Sequence, residues 1–230
     1  MFKMSYFLEL KKKIRKKKAI ISIVGLGYVG SQILLKFNEC NFKTIGIDTN
    51  LKEVKKKLIK VNSILTNSYK YIQAADVIII ALPTPLTKKL TPDLSILKNS
   101  LKSMSKYLKK GQLISLESSS YPGTTEEVIG KILKKKNFKI SEDFFLVYSP
   151  ERISPEIKIK NVKNIKYNLN NTPKICAGFS KNCTKLGVDL YNYVTKKVVK
   201  AKSLKAAETA KMLENVFRSV NIALVNELKM

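Results

Sequence analysis

Residues 19–30 read AIISIVGLGYVG, and the fold follows from how this stretch is read. Its first six positions, Ser22 apart, are apolar, the composition of a strand buried on both faces. Gly25, Gly27 and Gly30 then fall in the G-x-G-x-x-G spacing that joins a strand to a helix around a dinucleotide. In that reading Gly25 permits the tight turn, Gly27 lets a pyrophosphate approach the backbone, and Gly30 lets the helix settle on the strand. Tyr28 and Val29 open the helix, whose free N–H groups and partial positive charge suit phosphate. The spacing alone also occurs in unrelated strand–helix turns. Here a strand precedes it, a helix pattern follows it, and an acidic residue, Asp48, closes the next apolar run. A carboxylate there accepts both ribose hydroxyls of adenosine and repels a 2′-phosphate, which favours NAD over NADP.

Outward from this unit the same rhythm repeats. FKTIGID (42–48) leads into a lysine-rich helix near 51–59, ADVIIIALP (75–83) into a helix across 93–108, and QLISLES (112–118) into one near 124–136. DFFLVYS (143–149) and PKICAGF (173–179) are further strands, the second followed by a helix over 180–194 and a short strand, KVVKA. Short Ile, Val and Leu runs alternating with helices predict an α/β fold: a doubly wound, Rossmann-like parallel sheet covered on both faces. The predicted domain spans 19–200 and follows a basic leader helix over 1–18. Pro83 ends its strand, where it costs no ladder bond. The polar stretch 151–173 reads as a long loop.

Composition narrows the classes of function. With 230 residues, 44% of them hydrophobic, the chain can build one good-sized core and part of a second. No apolar run nears the roughly 18 residues needed to span a bilayer. The opening MFKMSYFLELKKKIRKKK lacks the apolar centre of a secretion signal, so a cytoplasmic location with no membrane partner is expected. Cys40, Cys176 and Cys183 form no C-x-x-C pair, which argues for reduced thiols and against a metal site. Histidine is absent, which removes the commonest general base and every Ser–His or Cys–His mechanism.

The net charge of +27 admits two readings, nucleic acid binding or lysine accumulated at solvated positions. The second is favoured. Lysine runs are spread along the whole chain (11–13, 16–18, 55–57, 134–136), and arginine, the better phosphate fork, occurs only at Arg15, Arg152 and Arg218. No nucleic acid partner is expected.

Loops past the carboxyl ends of strands line the ligand crevice of a doubly wound sheet. ALPTPL (81–86) places Pro83 and Thr84 there, ESSSYPGTTEE (117–127) places Ser119 and Ser120, and YSPERISPE (148–156) places Glu151 and Arg152. On composition alone the Ser and Thr positions read first as turn caps, and Glu151 with Arg152 as a local ion pair. Taken together, GLGYVG, ALPTPL, ESSSYPGTTEE, YSPERISP, PKICAG and AETAKMLENVFRSVNIALVNEL occur in one order and spacing. In that order they resemble the UDP-glucose/GDP-mannose dehydrogenase family, from about Phe7 to the last residue. Within it, LESSSYPGTTEE and the basic leader are most similar to the UDP-N-acetylglucosamine 6-dehydrogenases. UDP-glucose and UDP-N-acetylmannosamine enzymes are the nearer alternatives.

The resemblance implies oxidation of the C6 alcohol of a UDP-sugar to a carboxylate for surface polysaccharide synthesis, with NAD⁺ as oxidant. A cysteine thiolate traps the intermediate aldehyde in that family, so the chemistry runs without histidine. Lys211 and Asn215 match the family's K-x-x-x-N; four residues apart on one helix face, they are implied as donors to the C6 oxygen. Glu151 is implied as the carboxylate near the sugar and the hydrolytic water. Ser120, where many members carry threonine, is implied to position that water. Glu208 and Arg218 extend the polar stripe and are expected to orient the helix or touch ligand.

There are departures. The family's catalytic cysteine lies beyond this helix, ahead of a second α/β domain that holds the nucleotide, and none of Cys40, Cys176 or Cys183 matches it. The glycine usual after SPERISP is Glu156 here. The closing AETAKMLENVFRSVNIALVNELKM (207–230) has no glycine, proline or C-cap. The expectation is an amino-terminal portion whose truncated central helix starts near 201 and whose second domain is missing. Such a chain is inactive alone unless a separate carboxyl-terminal chain completes it. A non-catalytic NAD-binding remnant is the alternative. Apolar Ile222, Leu224, Val225 and Leu228 predict self-association or poor solubility, and the resemblance implies a homodimer through this helix.

Overall fold

The computed structural model describes residues 5–58, 61–152 and 171–229. The strands are β1 (Ile20–Val24), β2 (Lys43–Ile47), β3 (Ser63–Thr66), β4 (Val77–Ile80), β5 (Leu113–Leu116), β6 (Phe145–Tyr148), β7 (Lys174–Gly178) and β8 (Val198–Lys200). The α-helices are α1 (Tyr6–Arg15), α2 (Tyr28–Glu39), α3 (Leu51–Lys57), α4 (Ser95–Met104), α5 (Lys131–Lys135), α6 (Lys181–Tyr191) and α7 (Leu204–Lys229). The strands form one sheet in the order β3-β2-β1-β4-β5-β6-β7-β8. Chain order reverses direction across the sheet between β1 and β4, which is where a doubly wound fold opens its crevice.

Period-two alternation along the strands sorts the core into two layers. Ile21, Ile23, Val77, Ile79, Leu113, Phe145 and Val147 point to one face and pack with Leu10, Ile14, Ile33, Leu34, Phe37, Leu186 and Leu190 of α1, α2 and α6. Val24, Ile78, Ile80, Ile114, Leu116, Leu146 and Tyr148 point to the other, against Leu97, Leu101, Leu133, Leu204 and Ala207 of α4, α5 and α7. Every strand residue of β4, β5 and β6 is buried, as a sheet covered on both faces requires.

The leader forms α1, capped by the Ser5 hydroxyl on Leu8 N–H. Leu10 and Ile14 are buried under it, and Phe7 meets Phe145 edge to face at 6.3 Å. Burying each aliphatic side chain contributes about 2 kcal/mol. Asp76 ties the helix to the sheet by accepting from Lys13 Nζ and from Ile20 N–H, both at 2.9 Å.

Three expectations need correction. The sheet has a strand, β3, in SILT (63–66), a segment too short and too rich in hydroxyls to stand out as an apolar run. The helix expected across 124–136 begins as a π-helical stretch, Thr125–Gly130, before α5. The sheet is not wholly parallel: β7 runs antiparallel to β6, with Tyr148 opposite Ala177 and Val147 opposite Gly178. The long loop expected over 151–173, with Glu156, falls mainly on residues 153–170, outside the described residues.

Candidate active site

The loops that leave β1, β2, β4, β5 and β6 and one face of α7 enclose an open cavity of about 820 Å³. At one end stands the glycine turn. Gly25 has φ of +90°, and a Cβ there would lie 2.6 Å from the Ala81 carbonyl oxygen. A Cβ on Gly30 would lie 1.8 Å from the Gly25 carbonyl oxygen, so glycine alone lets α2 meet the turn. Gly27 is different: a Cβ there would meet nothing within 4 Å. The protein's own packing explains two of these glycines, and the third keeps clear a space that opens on the cavity beside Tyr28 and Val29.

Asp48 follows β2 on the same wall. Its carboxylate accepts Leu26 N–H at 2.7 Å through one oxygen and Asn50 N–H at 2.8 Å through the other. Those two bonds fix its orientation, and each oxygen retains a lone pair for a hydroxyl donor. Asn67 and Tyr69, which follow the overlooked β3, complete this end with Thr49. A cleared phosphate approach, a helix N-terminus and an oriented carboxylate fit the dinucleotide NAD.

Two side chains lock the middle of the cavity. Thr84 Oγ1 donates to the Ser119 carbonyl at 2.6 Å, and Ser118 Oγ donates to the Leu82 carbonyl at 2.7 Å. These cross-loop bonds brace the segments after β4 and β5, so that Pro83, Thr84 and Ser119 line the wall. Ser120 does not join them; its Oγ is sealed from solvent and lies off the cavity lining.

Lys211, Asn215 and Glu151 face the far end. Lys211 is 8% exposed, and burial pulls its ammonium below the usual lysine range, against the opposing pull of Glu214 at 3.8 Å. Arg152 meets the Glu151 carboxylate through its backbone N–H, at 2.7 Å, while its guanidinium turns to α7. Its Nε lies 3.2 Å from Glu214, which also takes Arg218 at 3.0 Å. Glu151 is also held by Lys174, at 2.8 Å. Glu208 is fully buried and accepts Gly123 N–H, Thr125 N–H and Thr125 Oγ1 at 2.5–2.8 Å, joining α7 to the turn that follows β5. Of the polar stripe on α7, then, Lys211 and Asn215 face the cavity, whereas Glu208 and Arg218 make protein contacts.

None of the three cysteines lines the cavity. Cys176 and Cys183 are buried, Cys176 with its thiol pushed up to about 12 by burial, and Cys40 Sγ donates to the Tyr193 carbonyl. Among the described residues no group of His, Cys, Asp or Glu is arranged to hold a metal ion. No helix among them is long and apolar enough to cross a membrane. Glu117 and Lys174 were not foreseen as site residues, although both lie in quoted motifs; their partners are distant in sequence.

Comparison with known proteins places this geometry in a family. The profile of the UDP-glucose/GDP-mannose dehydrogenase family, NAD binding domain, matches residues 19–195. Protein CapL of Staphylococcus aureus is 37% identical over 224 residues, which cover 90% of this chain and 51% of that protein. UDP-N-acetyl-D-glucosamine 6-dehydrogenase of Pseudomonas aeruginosa is 35% identical over 225 residues, again 90% of this chain and 51% of the relative. Among solved structures, UDP-D-ManNAc dehydrogenase from Pyrococcus horikoshii superposes with a TM-score of 0.77 at 27% identity, covering 90% of this chain and 52% of that one. The chain therefore spans about half the length of these relatives. With the match spanning the glycine turn, the cavity loops and β7, the chain belongs to the UDP-glucose/GDP-mannose dehydrogenase family and carries its NAD-binding domain.

Proposed function

We propose that this chain supplies the cofactor-binding and C6-facing half of an NAD-dependent UDP-sugar 6-dehydrogenase, with UDP-N-acetylglucosamine as the sugar nucleotide. The observation that carries the reading is a single cavity with Gly27 and Asp48 at one end and Lys211, Asn215 and Glu151 at the other. NAD⁺ supplies the hydride acceptor when bound. The glycine turn and Asp48 would hold it, with Pro83, Thr84 and Ser119 of the braced loops lining the cavity beside it. Lys211 and Asn215, one helical turn apart, donate to the C6 oxygen as negative charge develops on it. Burial favours the neutral amine of Lys211, which can accept the hydroxyl proton as the hydride leaves C6 and then, as the ammonium, donate to the aldehyde oxygen. Glu151 directs water at the acyl stage.

Sulfur chemistry is assigned to no cysteine of this chain, since all three lie off the cavity and burial disfavours the Cys176 thiolate. A thiol from outside residues 1–230, further along the same protein or on a separate carboxyl-terminal chain, would supply that step. The exposed apolar face of α7 supports a homodimer through that helix. Three unpaired thiols fit a reducing compartment, the cytoplasm.

Calorimetric titration tests the cofactor. NAD⁺ binds with measurable heat, NADP⁺ at least about tenfold more weakly, and Asp48→Ala loses about tenfold or more of the NAD⁺ affinity. A well-folded protein that takes up no NAD⁺ would overturn the reading. With NAD⁺ and UDP-N-acetylglucosamine no steady NADH appears; sustained turnover would show that the thiol is not needed from elsewhere. Saturation-transfer NMR with NAD⁺ present tests the sugar. UDP-N-acetylglucosamine receives more saturation on its hexose protons than UDP-N-acetylmannosamine or UDP-glucose, and equal transfer to all three rejects that choice.

A further inference from the structure

Beneath the far end of the cavity lies a cluster of charges of which the reading above uses Glu151 alone. Lys174, the first residue of β7, has 3% of its side chain exposed. Its Nζ lies 2.6 Å from Glu117 and 2.8 Å from Glu151, whose side chains are 0% and 6% exposed, and it also reaches the Pro150 carbonyl at 3.4 Å. The other oxygen of Glu117 accepts from Tyr191 Oη at 2.7 Å, and Tyr191 Oη shares a 2.7 Å bond with Ser115 Oγ. The ammonium also sits 4.9 Å from the centre of the Tyr191 ring. Two carboxylates and one ammonium are thus sealed together; removing the ammonium leaves two like charges side by side, whereas removing one carboxylate leaves one charge of each sign.

The reversal of β7 creates this arrangement. A strand parallel to β6 would carry its amino-terminal residue to the opposite edge of the sheet. Running antiparallel, β7 delivers Lys174 beside the residue that follows β6, which is Glu151 after Ser149 and Pro150.

We propose that Lys174 is a positioning residue, whose buried ammonium holds the Glu151 carboxylate at the cavity wall and shares its charge between Glu151 and Glu117. Glu117 then acts as a competitor for the same cation: the more of Lys174 it takes, the more basic Glu151 becomes. Other charges face this group as well. Arg152 N–H donates to the second oxygen of Glu151 at 2.7 Å; Lys211, Glu214 and Arg218 approach from α7; and the Cys176 thiol lies on β7 itself. None of these is a second sealed cation in contact with both carboxylates.

The proposal rests on Glu151 being the carboxylate of the catalytic cavity, and its test reads Glu151 directly. Side-chain carboxyl carbons of ¹³C-labelled glutamate are followed against pH by NMR in wild type, Lys174→Met, Lys174→Arg and Glu117→Gln, with thermal melts to confirm folding. Removing the cation in Lys174→Met raises the Glu151 midpoint by about one pH unit, a tenfold gain in proton affinity. Removing the competitor in Glu117→Gln lowers it, and Lys174→Arg returns it towards wild type. A Lys174 that only supports the fold lowers the melting temperature and leaves the Glu151 midpoint unmoved, and that result in a folded variant overturns the proposal. Where Lys174→Met does not fold, Glu117→Gln decides: a midpoint that stays or rises is equally fatal. Failure of wild type to bind NAD⁺ would sink the function and leave this titration standing.

Discussion

Gly27 and Gly30 are three residues apart in one motif, yet the structure gives them different physical reasons for being glycine. A methyl on Gly30 would press against the Gly25 carbonyl, so α2 would have to lift from the turn. Gly30→Ala is expected to cost about 2 kcal/mol or more, as overpacking does, and to lower the melting temperature measured by circular dichroism. A methyl on Gly27 meets open space, at an extended backbone position with φ of −64°. Gly27→Ala is expected to melt close to wild type and to weaken NAD⁺ by tenfold or more in calorimetry. Equal losses of stability in the two variants would show that the space beside Gly27 is not kept for a ligand.

Glu117 gives a second test at the scale of one residue. Burial raises its carboxyl from 4.5 to about 6, partly opposed by Lys174. A folded-state value above the unfolded one means that the native protein holds the proton more tightly. Stability from this group is therefore fully present below about 4.5 and is lost as pH rises towards about 6. The loss is on the order of 2 kcal/mol. Lys174 is protonated throughout that window and adds no slope there. Denaturant titrations from pH 4 to pH 7 should show wild type losing stability relative to Glu117→Gln as pH rises; parallel curves would remove Glu117 from the account.

At the scale of elements, α7 buries side chains in its first two turns only. Leu204, Ala207, Glu208 and Lys211 are buried, and beyond Asn215 the helix is exposed. Glu208 is the polar anchor, binding the turn at Gly123 and Thr125 that begins the π-helical stretch. Its carboxylate sits at free backbone N–H groups, where negative charge is favoured. Glu208→Ala strands those buried donors and is expected to cost about 2–4 kcal/mol. Because Lys211 is one turn further along, it should also slacken the far end of the cavity, seen as faster amide exchange over residues 211–215. A variant that melts like wild type with unchanged exchange would leave α7 anchored by Leu204 and Ala207 alone.

Elements also show what the amino-acid order makes legible. The strands β1, β2, β4, β5 and β6 announce themselves, because a strand buried on both faces carries a run of apolar residues broken only by small or hydroxyl side chains and by a polar end. SILT does not, since β3 lies at the sheet edge where partial exposure tolerates hydroxyls. With β3 hidden, Asn67 and Tyr69 could not be placed at the cavity either. The glycine turn and Asp48 were readable because they are local, within one strand–helix–strand unit. The Lys174 cluster was not. It depends on the direction of β7, and an apolar strand reads the same in either direction. Pairings such as Arg152 with Glu214 are set by where α7 crosses the loops, a tertiary fact with no local trace in the sequence.

At the scale of the whole molecule, two opposed features meet on α7. Leu213, Val216, Phe217, Val220, Ile222, Leu224, Val225 and Leu228 are each more than half exposed, an apolar stretch long enough to pair with a second copy. Yet each copy carries a net charge of +27, and bringing two together sets like charges within a few tens of ångströms. Burial favours the dimer at any salt concentration, whereas repulsion is screened over about 10 Å at 0.1 M salt and about 3 Å at 1 M. Dimerisation through α7 should therefore tighten as salt rises, and Phe217→Glu or Val220→Lys should abolish it by placing charge in the apolar seam. Binding of a polyanion such as DNA has the opposite dependence, because added salt removes the gain from counterion release. Light scattering and DNA retention measured across one salt series separate the two effects. Mass rising with salt, lost in Phe217→Glu, assigns the helix to self-pairing. Mass that stays monomeric at every salt concentration, with DNA retained at physiological ionic strength, would instead assign the positive charge to a nucleic acid partner and leave the apolar face of α7 without a second copy.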